Sequence, residues 1–254
     1  MKKCVLLLAM FSVLLGSAAD AGTFRPKIKV PKVKNFDFAT GIDNPAWETV
    51  PAGQFLKLIG NVNDINRKPE EGASVKYLYD DQYFYVRAEF IDSDIVVNAT
   101  SDGGHFYKNG DVLEIFIKPG KSNYYWEIYG TPNNLNTRFV YGSRSNLGLP
   151  SGFKHDDVKI KVTSRINGTL NKRDDRDQSC IILVAIPLAE LNLPHLKTGH
   201  PAGTVPFAPG EDWRVQSARY NYSRYLDKYE LSSYPQTFGG YHSLEYFAQI
   251  ELLK

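Results

Sequence analysis

Sulfur is scarce in this chain of 254 residues, which holds two cysteines and two methionines. Met1, Cys4 and Met10 lie at the start, where Lys2 and Lys3 precede an apolar run from Val5 to Leu15. Ala19 and Ala21 supply the small residues of a cleavage position before Gly22. Residues 1–21 are therefore expected to be a secretory signal, with too short an apolar run to span a membrane. The Met-Lys-Lys start suits a bacterium, so the mature chain is expected to be soluble and secreted or periplasmic. Cys4 precedes the apolar run and is badly placed for lipid attachment. Cys180 then stands alone inside the apolar run Ser179 to Ile186, which excludes an intrachain disulfide and reads as a buried small hydrophobe. With both methionines in the signal, a haem held by methionine is excluded as well, which leaves a haem module of similar fold only a histidine pair or a lysine as ligands and little support.

An excess of charge is also missing. Lys and Arg number 30 against 28 Asp and Glu, and the net +2 becomes +1 once Lys2, Lys3 and Asp20 are removed with the signal. Such a balance argues against nucleic acid as a partner. The five histidines form no zinc-hydrolase motif, and no Gly-x-Ser-x-Gly elbow occurs. Helical patterning is confined to Pro187 to Asn192, and there is no internal repeat.

What is present is strand alternation. Ser74 to Tyr79 and Tyr83 to Ile91 alternate with a period of two around the polar turn Asp80-Asp81-Gln82, which predicts an antiparallel hairpin. Gly110 to Lys118, Tyr124 to Tyr129, Thr137 to Tyr141 and Val158 to Ile166 read as further strands, followed by Cys180 to Ile186, Trp213 to Tyr220 and Phe247 to Leu253. Cys180 to Ile186 is apolar throughout, as in a strand buried on both faces. Residues 193–211, with four prolines, and the tyrosine-rich stretch from Tyr222 to Tyr241 read as irregular. Many short strands with almost no helix predict an all-β, antiparallel, jelly-roll-like sandwich forming a single domain over residues 37–254. Residues 22–36, in which lysines and two prolines interrupt Ile28, Val30 and Val33, read as a basic extended leader or edge strand. Trp47 is expected in the core.

The order of these segments resembles the family 9 carbohydrate-binding modules. The matching pieces are Ile42-Asp43 with Trp47, Val75 to Val86, Gly110 to Ile117, Tyr124 to Ile128, Val184 to Pro187, Trp213 to Arg219, and Tyr241 to Leu252. The resemblance implies a sandwich that binds oligo- or polysaccharide without catalysis, supports polysaccharide catabolism beside secreted glycoside hydrolases, and often carries structural calcium. It also implies two aromatic rings clamping the sugar, at Tyr107 with Phe106 beside it and at Tyr241. Glu114 of the Asp-x-x-Glu strand would accept hydrogen bonds from sugar hydroxyls. An arginine of some relatives falls at about Glu127 here. A sugar ring offers C–H faces to aromatic residues and hydroxyls to charged or amide groups, so a site needs both kinds close together.

Two further readings rest on carboxylates. A glycosidase would need two facing carboxyls about 5 to 9.5 Å apart, and Glu114 with Glu127 is the pair to test. For calcium, Asp92, Asp94, Asn98 and Asp102 form the richest oxygen cluster, although in no EF-hand spacing, and the same residues would equally serve as turn caps.

Overall fold

A computed structural model describes residues 25–144, 159–191 and 205–254. The expected signal and most of the proline-rich stretch 193–211 lie outside the described residues. Two sheets pack face to face. The smaller contains β2 (Gly53–Gln54), β4 (Ala73–Tyr79), β5 (Tyr83–Ile91), β10 (Ser179–Pro187) and β9 (Lys161–Asn167), in that spatial order. The larger runs β1 (Lys27–Val30), β13 (Ala248–Leu252), β11 (Trp213–Asn221), β6 (Val112–Pro119), β7 (Tyr125–Gly130) and β8 (Asn136–Tyr141). Two short strands, β12 (Glu230–Tyr234) and β3 (Leu56–Lys57), extend it beyond the far half of β11. The antiparallel sandwich read from the sequence is the fold observed. A single helical turn, α1 (Leu188–Leu191), follows β10. Among the described residues no helix is long and apolar enough to cross a membrane.

Alternation sorts each strand between two environments. From the smaller sheet Val75, Tyr77, Phe84, Val86, Ile182 and Val184 face Leu113, Ile115, Ile117, Trp126, Ile128 and Val215 of the larger, forming the central core. The outer face of the smaller sheet is covered by Ile42, Trp47 and Val50, which pack on Leu78, Tyr85, Leu183 and Ala185. Strand β10 is accordingly buried on both faces. The indole N–H of Trp47 donates to the Gly41 carbonyl at 2.7 Å, so its polar edge is satisfied as its rings are buried. In the β4–β5 turn the Asp80 carboxylate accepts the amides of Gln82 and Tyr83, both at 2.7 Å, and fixes the hairpin register.

Two sequence expectations are refined. Of leader and edge strand, the edge strand is the one observed: Lys27–Val30 pairs in parallel with β13 at the edge of the larger sheet, and Val30 is fully buried. The tyrosine-rich stretch contains β12, which the sequence pattern hid because Glu230-Leu-Ser-Ser has little β-branched character.

One end of the sandwich is closed by a buried ion pair. Arg219 on β11 meets Asp92, just beyond β5, at 2.8 Å, with both side chains 2% exposed. The guanidinium also donates to the carbonyls of Ile91 at 3.0 Å and Glu71 at 3.3 Å. Glu71 in turn accepts from Asn221 at 2.7 Å and from the Ser93 amide at 3.1 Å. Burial pushes the Asp92 carboxyl up, with Arg219 opposing. Removing one member of such a pair leaves the other charged and unpaired. Arg219→Met is therefore expected to lower unfolding free energy by about 3–5 kcal/mol, with the double variant that also carries Asp92→Asn recovering part of the loss. Chemical denaturation measures this, and a loss below about 1 kcal/mol for Arg219→Met would show that the pair does not hold the two sheets.

Candidate functional site

The outward face of the larger sheet carries a second aromatic layer, built by parity. On β6, Leu113, Ile115 and Ile117 point to the core, so Val112, Glu114 and Phe116 point out. The same rule turns Tyr125, Glu127 and Tyr129 of β7 outward, with Phe139 and Tyr141 of β8 and Ala218 and Tyr220 of β11. Register then fixes the neighbours. Glu114 lies opposite Tyr129 on one side and Ala218 on the other, while Phe116 lies opposite Glu127. The two carboxylates are thus diagonal neighbours on adjacent strands of one face.

Both are deeply buried, each residue being 2% exposed. The Tyr129 hydroxyl donates to Glu127 Oε1 at 2.8 Å. Glu114 Oε1 and Glu127 Oε2 have no hydrogen-bond partner among the described residues. Neither carboxylate has a cationic partner in an ion pair among those residues. Burial, reinforced by the neighbouring Glu127, holds the Glu114 carboxyl well above the usual range. Burial pushes Glu127 up to about 7, with the Tyr141 and Tyr129 hydroxyls opposing. A pair of like charges drawn out of water keeps a proton for this reason.

Tyrosines ring this floor. Tyr107 sits in the short turn Phe106–Lys108 and is half-buried, its ring 5.4 Å from that of Tyr220. Tyr220 is also half-buried, and both carboxylates help raise its pKa, so it connects the floor to the surface. Tyr229, 52% exposed, stacks on Tyr222 at 5.5 Å and on Tyr220 at 6.4 Å. His242 accepts or donates at 2.6 Å to the Tyr125 hydroxyl, and burial lowers its pKa to about 4.

The residues picked from the sequence are brought together, in unequal roles. Tyr107, Glu114, Glu127, Tyr241 and Phe106 all belong to this layer. Tyr241, however, is 5% exposed, and its hydroxyl donates to the Arg219 carbonyl at 2.8 Å and the Ser232 carbonyl at 3.2 Å. It stands behind Tyr220 at 5.5 Å and 84°, as a buried wall. Phe106 is 1% exposed and likewise presents no open ring. Tyr220, Tyr129 and Tyr141 were not among the candidates. The outward parity of their strands, counted from Glu114, is the signal that finds them.

The acidic loop does not fit a calcium cage. Asp92 is taken by Arg219 and by the Asp94 amide. Asp94 pairs with Arg173 at 2.9 Å and accepts the Arg224 amide at 2.8 Å. Asp102 accepts the Asn136 amide at 2.8 Å, and exposed Asn98 is joined to Asn109 through its backbone. Among the described residues no three His, Cys, Asp or Glu side chains are grouped so as to hold a metal. Most of the loop's carboxylate oxygens strap backbone and guanidinium groups, while Asp94 Oδ1 has no hydrogen-bond partner among the described residues.

No protein-family model and no curated protein matches the chain. Solved structures do. A protein from Bacteroides uniformis, to which carbohydrate binding is assigned provisionally, superposes with a TM-score of 0.64 at 11% identity, over 90% of this chain and 100% of that one. A family 9 carbohydrate-binding module from Caldicellulosiruptor kristjanssonii, solved with cellotriose, gives 0.53 at 13% identity over 89% and 93% of the two chains. The same organism's family 9 module solved with glucose gives 0.55 at 14% identity over 89% and 95%. The architecture of this chain is that of the family 9 carbohydrate-binding modules.

Proposed function

We propose that this protein is a non-catalytic glycan-binding protein, and that the sugar contacts the outer face of the larger sheet beside the paired rings of Tyr107 and Tyr220, with Glu114 and Glu127 as the polar floor. The observation that carries this reading is the pair of buried carboxylate oxygens without partners beneath half-exposed tyrosines. A buried acceptor left unsatisfied costs about 1–3 kcal/mol, and a sugar hydroxyl donating to it recovers that cost on binding. Tyrosine rings beside the carboxylates offer the apolar faces that sugar C–H groups need. Support comes also from the fold, since modules of this architecture have been solved with cellotriose and with glucose. In this reading the chain is exported by its signal and works beside secreted glycoside hydrolases on a shared polysaccharide. The same carboxylates are what a glycosidase would use, and incubating the protein with the oligosaccharide it binds tests for released reducing ends.

Removing the Tyr107 ring is expected to weaken oligosaccharide binding about fivefold or more, because a stacked ring contributes on the order of 1 kcal/mol. Titration calorimetry of Tyr107→Ala measures this, and unchanged affinity would move the site away from this face. Glu114→Gln is expected to cost about tenfold, since the amide NH2 replaces one of the two oxygens that a sugar hydroxyl can reach.

The unliganded protein is also expected to be pH-sensitive in a direction set by Glu127. Its folded value of about 7 lies above the about 4.3 of an unfolded chain, so its contribution to stability is full below about pH 4.3 and is lost as pH rises through about 7. Glu114, also raised, acts in the same direction. Denaturation of Glu127→Gln across that window should show a flatter profile than the parent. Identical slopes would show that the two carboxylates do not carry this dependence.

A further inference from the structure

We propose that the sugar recognised here carries a free amine, whose ammonium group sits between Glu114 and Glu127. This rests on the sugar-binding reading above and names the substrate class. The argument begins with what the floor lacks. Two carboxylates share one face of adjacent strands, each 2% exposed, and neither is ion-paired to a cation among the described residues. Elsewhere in this protein Asp92 has Arg219, Glu190 has Arg138 and Glu230 has Lys57, whereas Asp111, Asp177 and Glu71 lack a cation but have both carboxylate oxygens hydrogen-bonded. Arg219 is close along β11 but has opposite parity to Tyr220 and is turned to Asp92.

The groups that face the pair from every side are hydroxyls and rings. Tyr129 comes from β7, Tyr141 from β8 and Tyr220 from β11, with Tyr241 behind. His242 nearby is neutral at pH 7, its pKa being about 4. Lys108 lies outside, over the Tyr107 ring at 5.5 Å, and is exposed. A neutral hydroxyl satisfies one oxygen and leaves the pair to keep its proton. An ammonium donates three hydrogen bonds, compensates the second charge and is attracted by the surrounding ring faces. Its arrival releases the proton that burial holds on the pair, because a cation at that distance lowers both carboxyl pKa values.

Titration calorimetry at pH 6.5 with three tetrasaccharides tests this: the β-1,4 glucosamine oligomer, its fully N-acetylated counterpart and cellotetraose. The amine is expected to bind about tenfold or more tightly than either neutral sugar, with proton release visible as a heat that depends on the buffer. Glu127→Gln and Glu114→Gln should each shrink that ratio to about threefold or less, with folding checked by melting. Lowering the pH to about 4 on the parent protein should shrink it likewise, which keeps the test independent of whether a variant folds. A neutral sugar binding as tightly as the amine overturns the inference and leaves sugar binding standing. A preference that survives both substitutions places it on surface charge and also overturns it. Spermidine binding as tightly as the amino sugar would show an ammonium site that does not read sugar. Failure of all three sugars to bind the folded protein removes both readings together.

Discussion

The contact between Arg219 and Asp92 is the constraint on which the two faces of the sandwich depend. It joins β11, the strand at the heart of the larger sheet, to the chain just leaving β5 in the smaller one. Because the guanidinium is wholly buried, its donors must look for partners within the protein, and backbone carbonyls of Ile91 and Glu71 are drawn in beside Asp92, although Nε has no hydrogen-bond partner among the described residues. Loops that would otherwise be free are thereby tied to one end of the sheet. Tyr220 is the next residue along β11 and has opposite parity, so the ion pair that anchors Arg219 inward also sets how Tyr220 stands outward over Glu114.

The outer face obeys a different economy from the core behind it. The core is filled mostly by aliphatic and aromatic side chains, with the polar edges of Tyr77, Trp126 and Trp213 each hydrogen-bonded. The outer layer is nearly as well buried, yet it encloses two carboxylates and several hydroxyls, held by a layer of tyrosine where the core uses Ile and Val. Such a layer carries an electrostatic strain that a merely structural surface would have no reason to keep. Its proton and its unpartnered oxygens make it responsive to what touches it, whereas Asp92, Asp111 and Glu71 at the closed end are matched by backbone amides, the Asn221 amide and a guanidinium.

Local features were legible in the sequence and long-range ones were not. The β4–β5 hairpin could be read because alternation and the Asp80 turn are properties of adjacent residues. Glu114 and Glu127 could be picked out singly, but that they share a face requires the β6–β7 register, which no local pattern states. Tyr241 reads as an available ring until its hydroxyl is seen to be held by carbonyls of Arg219 and Ser232. Asp92 reads as a metal ligand until its partner is found 127 positions later. Basic residues and prolines left residues 22–36 readable as leader or edge strand, and the alternation of Ile28 and Val30 is what places β1 at the edge of the sheet.

The parallel pairing of β1 with β13 has a mechanical consequence. Lys27 lies beside Gln249 and Val30 beside Leu252, so the chain enters β1 at one end of this pair and leaves β13 at the other. Tension between the two ends of the domain therefore runs along the strands in opposite directions. The hydrogen bonds between them are loaded together in shear and cannot open one after another like a zip. A domain pulled between a surface at one terminus and a neighbour at the other would resist at the seam where its first and last strands meet.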